Sequence, residues 1–176
     1  MADPSDVNAE TLQRMSSLGT YALAMQAAQF LEMKLAILCV WAESDFTPRQ
    51  VKNVEKAFRR TVRSHEHLFQ RASASELRNR LDGVLPEELA EELTELIGWR
   101  DRLAHRYLRE QYALDPPIFG ERMQHEMQAV SQRFQALGDK VDAETRRIAA
   151  EKGGEGGDVT DPGVNELTRR ILFGSG

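Results

Sequence analysis

The sequence predicts an all-α protein, an antiparallel up-and-down helical bundle of about four to five helices with a flexible C-terminal extension. A stretch from about Ser17 to Trp41 is rich in Ala, Leu and Met and free of proline, a composition of good helix formers. Between Pro86 and Leu114, Leu93, Leu96, Ile97, Leu103, Ala104, Tyr107 and Leu108 fall on one stripe at about 100° per residue. Farther on, Met123, Met127, Val130, Phe134, Leu137 and Val141 alternate steps of four and three, a seam that repeats every ~3.5 residues.

Taken in order, residues 1–16 offer no sustained apolar face and are expected to form a loosely held tail. The first long helix is apolar almost all round, and Ala22, Ala24, Ala27 and Ala28 would let a neighbour pack closely, so it is expected at the centre of a bundle. The run from Tyr21 to Ala42 raises the question of a membrane span. Gln26, Gln29, Glu32 and Lys34 interrupt it where charge is expensive in lipid, so a buried soluble helix with no membrane partner is expected. Glu32 either pairs with Arg100 or faces solvent.

Thr47, Pro48 and Gln50 spell a capped helix start, with Phe46 and Val51 as its hydrophobic staple. The helix expected from there to about His67 sets Arg49, Lys52, Lys56, Arg59, Arg60 and Arg63 against Glu55 alone. That is a solvated basic face or a footprint for a polyanion. Residues two apart do not face each other on a helix, so His65 and His67 read as surface residues and no metal site is expected. A short helix from about Ser75 to Arg80 ends at the Asp82-Gly83 turn. Pro86 opens the next helix, which should stop before Asp115-Pro116-Pro117. The 123–141 seam either packs within the bundle or pairs with a second copy, and off-seam His125 reads as a surface residue. From Lys152 to Asp158 the glycines spell a linker, and VNELTRRILF beyond it is amphipathic but too short to hold a helix alone. Three segments result: the tail 1–16, the bundle 17–151, and the linker with its amphipathic segment 152–176.

A chain of 176 residues fits one domain. Its single Cys39 excludes an internal disulfide, and without a basic-then-apolar leader a cytoplasmic location is expected. The net charge of −5 weighs against a protein that coats nucleic acid. Locally the balance differs, with Glu87, Glu88, Glu91, Glu92 and Glu95 at the front of one helix and Arg100, Arg102, Arg106 and Arg109 in its second half. The helix dipole accounts for the glutamates better than for four arginines beside a histidine. There is no internal repeat, no glycine loop shaped for phosphates and no G-x-S-x-G element.

Arg100 falls in the middle of the apolar stripe, although a guanidinium stays charged and is costly to desolvate unless paired. Asp101 and His105 are four apart and therefore neighbours, so the carboxylate can hold one imidazole nitrogen and leave the other free. Arg100-Asp101-Arg102-Leu103-Ala104-His105-Arg106-Tyr107 has the form R-x4-H-x-Y, which resembles the signature of the HEPN superfamily, in particular the HepT-like toxins. The resemblance covers the motif and, more loosely, the helical layout from about Ser17 to Ala150, and nothing in the C-terminal tail. The family often has asparagine after the arginine. Asp101 here adds a negative charge near any phosphate.

The resemblance implies an HEPN-like bundle acting as a metal-independent endoribonuclease, a toxin or defence effector without cofactor, whose two subunits face their motif helices across one cleft. Cleaving RNA through its own 2′-hydroxyl needs a base, an acid for the leaving 5′-oxygen, and positive charge on the phosphorane. A homodimer supplies two His105 and two Arg100 for these tasks. Asp101 would fix the imidazole tautomer, and Arg102 and Arg106 would bind the RNA substrate. The resemblance also implies AMPylation of Tyr107 by a partner nucleotidyltransferase antitoxin that covers the cleft. Read structurally instead, Arg100 is an ion-pair partner, Asp101 and His105 are a surface pair, and Tyr107 packs with its hydroxyl hydrogen-bonded. The functional alternative is a non-catalytic HEPN-like module binding nucleotide, RNA or a partner protein.

Overall fold

The computed structural model describes residues 9–44, 60, 63–113 and 119–151. Among them there is no strand, and the helices are α1 (Ala9–Glu43), α2 (Glu66–Gln70), α3 (Ala74–Arg80), α4 (Glu87–His105), α5 (Tyr107–Tyr112) and α6 (Glu121–Glu151). The cap at Thr47 to Gln50 with its Phe46–Val51 staple, most of the basic helix, the Asp115-Pro116-Pro117 stop and everything from residue 152 onward lie outside the described residues. Arg60 and Arg63 of the basic face are described, and both are exposed. The chain forms two compact units, one of residues 1–31 with 95–136 and one of 32–94 with 137–176.

In the first unit the early part of α1, the end of α4, α5 and the first half of α6 bury Ala24, Ala28, Leu96, Leu103, Tyr107, Met127 and Phe134. Helix α1 begins at Ala9, ahead of the expected start at Ser17. Polar contacts hold this first stretch. Buried Ser17 donates to the Gln13 carbonyl at 2.9 Å and accepts from Gln124 Nε2 at 3.4 Å. Arg14 donates to the Tyr112 hydroxyl at 2.7 Å, its guanidinium lying 5.2 Å from the Phe119 ring centre. An apolar pattern does not report such bonds, and Leu12 and Met15 face solvent.

The second unit contains the last part of α1, α2, α3, the start of α4 and the end of α6. From Leu35 to Val40 every residue of α1 is buried, together with Leu68, Leu77, Leu81, Leu93, Leu137 and Val141. Ser73 caps α3 by accepting from the Glu76 N–H at 3.2 Å. The turn after α3 needs a left-handed residue and has Gly83 at φ 72°. Lys34 reaches Asp142 at 2.7 Å and Asp139 at 3.7 Å. Cys39 donates to the Leu77 carbonyl at 3.6 Å, and burial, reinforced by nearby Glu43, pushes its thiol up to about 12.

Two expectations about packing change. Helix α1 is enclosed all round only from Leu35 to Val40, whereas Leu12, Met15, Leu23 and Phe30 are at least half exposed. The central-helix reading therefore holds for one part of α1 and not for the other. The seam of α6, left open between self-packing and pairing, is buried within this chain from Met123 to Val141, so those side chains are not available to a second copy.

Candidate functional site

The end of α4 and the start of α5 supply the candidate site, and their inner face is as the spacing predicts: Leu93, Leu96, Ile97 and Leu103 of α4 and Tyr107 of α5 are buried. Ala104, expected on the same stripe, is exposed although its angle lies between those of buried Leu93 and Ile97, and Leu108, at the edge of the arc, is half-buried. The expected single helix is interrupted at Arg106, whose φ of −129° and ψ of −39° end α4 and begin α5. The ladder persists across the step. Arg106 N–H donates to the Arg102 carbonyl and its own carbonyl accepts from Glu110 N–H, both at 2.8 Å. The His105 carbonyl accepts from the Arg109 guanidinium at 2.9 Å. No proline or glycine marks this break, so the sequence carried no sign of it.

Asp101, Arg102, His105 and Arg106 line one open concavity of about 650 Å³, with Gly98 and Glu110 completing the wall. His105 and Arg106 are exposed there, and neither side chain has a hydrogen-bond or ion-pair partner among the described residues. Arg100 is half-buried and outside this wall, and donates from Nη1 to Asp101 Oδ1 at 3.2 Å. Among the described residues no hydrogen bond joins Asp101 to the His105 ring. The orienting contact expected from their spacing is replaced by the contact between Asp101 and Arg100.

Arg102 is held between rings and carboxylates. Its guanidinium carbon lies 5.0 Å from the Trp99 ring centre and 5.4 Å from that of Tyr107. Nε donates to Glu110 at 2.9 Å, and Nη1 is 3.9 Å from Glu126. Such a clamp of two rings and two carboxylates fixes the guanidinium. Of its members, Trp99 was legible as the i−3 neighbour of Arg102, while Glu126 sits on another helix and had no signal in sequence.

Tyr107 is fully buried. Its hydroxyl donates to Glu126 Oε2 at 2.7 Å, and its ring stacks on Tyr21 at 6.1 Å and 17°. Burial first, then the hydrogen bond to the Glu126 carboxylate, raises the phenol above its usual range. Tyr21 in turn donates to the Leu103 carbonyl at 2.7 Å, which holds α1 against the motif helix.

The histidines outside the motif differ from each other. His65 pairs through Nε2 with Glu43 at 3.2 Å, Glu43 also accepts from Arg80 at 3.2 Å, and Arg80 Nη2 lies 3.5 Å from His67 Nε2. The His65 and His67 rings stack at 6.4 Å because the chain turns at His65 between helical segments. Among the described residues no group of three His, Cys, Asp or Glu side chains could hold a metal ion. No protein-family model, curated protein or solved structure matches the chain.

Proposed function

We propose that this protein is an HEPN-like helical bundle acting as an endoribonuclease that cleaves RNA by attack of its 2′-hydroxyl, independent of metal, at a composite site made by two copies. In this reading it is a toxin or defence effector held in check by a partner. The observation that carries it is the exposed His105 imidazole in a concavity shared with Arg102 and Arg106, within a segment whose R-x4-H-x-Y spacing resembles a ribonuclease signature.

One His105 takes the 2′-hydroxyl proton, and the His105 of the second copy gives a proton to the leaving 5′-oxygen. Arg100 leaves Asp101 to meet the phosphorane oxygens. Arg106 contributes the exposed charge that meets the RNA backbone, while Arg102 shapes the wall from within its ring clamp. AMP transfer to Tyr107 in this reading requires its hydroxyl to exchange Glu126 for solvent, which makes modification conditional on α5 moving.

Purified protein incubated with structured RNA in EDTA tests the activity. Products with 2′,3′-cyclic phosphate ends are expected from the wild type and lost in both Arg100→Ala and His105→Ala. Equal cleavage by the variants would mean a contaminating nuclease and would remove the proposal. A non-catalytic HEPN-like module binding nucleotide, RNA or a partner protein is the second reading. It is favoured by Asp101 and Glu110, whose carboxylates line the same wall and repel phosphate, and its expected outcome is RNA retention without cyclic-phosphate product.

A further inference from the structure

We propose that the outward stripe of α1 is a docking surface for a second copy of this chain, paired antiparallel about a twofold axis near the middle of the stripe. Leu12, Met15, Leu23 and Phe30 are 58%, 63%, 59% and 50% exposed, far more than large apolar side chains on a solvated helix face require. At about 100° per residue these four, with Gly19 and Gln26, fall within an arc of ~80° and run ~27 Å along the helix. Tyr21 points about 180° away from Leu12 and Phe30, toward the Leu103 carbonyl that its hydroxyl reaches. The stripe thus turns away from the motif helix, and the inference does not depend on the RNA reading.

The stripe is complementary to itself. In an antiparallel pair with Leu12 opposite Phe30, Leu23 of each copy stands opposite Gly19 of the other. A Cβ added at Gly19 would meet nothing within 4 Å, so the helix has a hollow where the opposing leucine needs one. A twofold axis uses that knob and hollow twice, as an isologous interface does. The four large side chains expose ~400 Å² per copy, within the size of the largest patch on a monomer, which is often functional. Two copies with the flanking Ser16, Ala22 and Gln26 hide ~1,000–1,200 Å², about the lower limit of a specific interface.

Charge selects a second copy over a lipid surface. No charged residue occurs from Met15 to Leu31, so identical faces meet without repulsion. A helix lying on a membrane carries Lys and Arg along its polar flank. The described part of α1 before Lys34 has only Arg14, which is engaged with Tyr112 and Phe119.

Sedimentation equilibrium of the full chain from about 1 to 100 µM, a range that reads micromolar association, tests the proposal. Leu23→Glu and Phe30→Glu are expected to halve the average mass and to weaken association roughly 100-fold, with unchanged far-UV circular dichroism. Glu88→Lys, a charge change on exposed surface elsewhere, is expected to leave the mass at the wild-type value. A monomeric wild type at the highest concentration would overturn the proposal, as would variants that keep the wild-type mass. Monomers that float with phosphatidylcholine vesicles, and cease to do so as Leu23→Glu, would assign the stripe to lipid and equally overturn it. The two readings fail separately: variants that keep the wild-type mass remove the stripe and leave the nuclease reading standing, loss of RNA cleavage alone removes the nuclease and leaves the stripe, and only a monomeric wild type removes both, because the composite site also needs two copies.

Discussion

Replacing Tyr107 with phenylalanine removes one oxygen from a buried ring and nothing else. The lost bond is the 2.7 Å donation to Glu126, and hydrogen bonds to charged acceptors contribute roughly 1.5–3 kcal/mol. Glu126 keeps a side chain 36% exposed and the Arg102 guanidinium at 3.9 Å, so water and the cation recover part of the loss and ~1–2 kcal/mol remains. For a chain of this length that lowers the melting temperature by about 3–6 °C. The ring contacts with Tyr21 and Arg102 survive in phenylalanine. Tyr107→Ala forfeits them and is expected to cost about 3–5 kcal/mol.

The same substitution has a pH signature. The Tyr107 phenol is raised in the folded chain by burial and by Glu126, so the folded state holds its proton where the unfolded chain releases it. That contribution is complete below the ordinary phenol value of 10.0 and is lost as pH rises above it. Thermal melts by circular dichroism from pH 8 to pH 11 should therefore fall more steeply for the wild type than for Tyr107→Phe. Tyr21, also raised by burial, stays in both proteins and cancels. Parallel alkaline slopes together with an unchanged melting temperature would refute the assignment of this hydroxyl to Glu126.

Three further outcomes are expected. Cys39, buried with its thiol pushed up to about 12, should resist a thiol-disulfide reagent at pH 8 in native protein and react completely in denaturant; a fast native reaction would contradict its burial. Leu38→Ala, at a fully buried position, should lower the unfolding free energy by about 2–5 kcal/mol in urea titrations. Gly83→Ala places a side chain at φ 72° and should cost about 1–2 kcal/mol, while Gly83→Asn recovers part of it.

The sequence made the inner faces legible wherever two helices had to share a core. The 3.5-residue seam of α6, the Leu93, Leu96 and Leu103 positions of α4 and Tyr107 of α5 are buried as their spacing requires. What escaped was whatever depends on a distant partner. The start of α1 at Ala9 rests on Ser17 and Arg14 meeting residues about a hundred positions away. His65 and His67 read as surface residues, and their contacts escaped because Glu43 and Arg80 reach them only after the chain has turned. At the candidate site helical spacing gave the Asp101 and His105 pair, the family resemblance added Arg102 and Arg106, and Arg100, expected beside them, lies outside the shared wall. That Asp101 meets Arg100 and not His105 is a choice between two neighbours that spacing leaves open.

Helix α6 contains Gly138 well inside its length, a residue roughly 1 kcal/mol poorer there than alanine. A Cβ at that position would come within 3.1 Å of Lys34 Nζ and 3.3 Å of its Cδ. The lysine stem lies flat over the bare backbone to reach Asp142. Gly138→Ala would therefore trade helix propensity against a displaced ammonium, and two effects that normally appear in separate experiments would nearly cancel in one. A neutral result at this position would report a balance of opposing terms, and only pairing it with Lys34→Met would separate them.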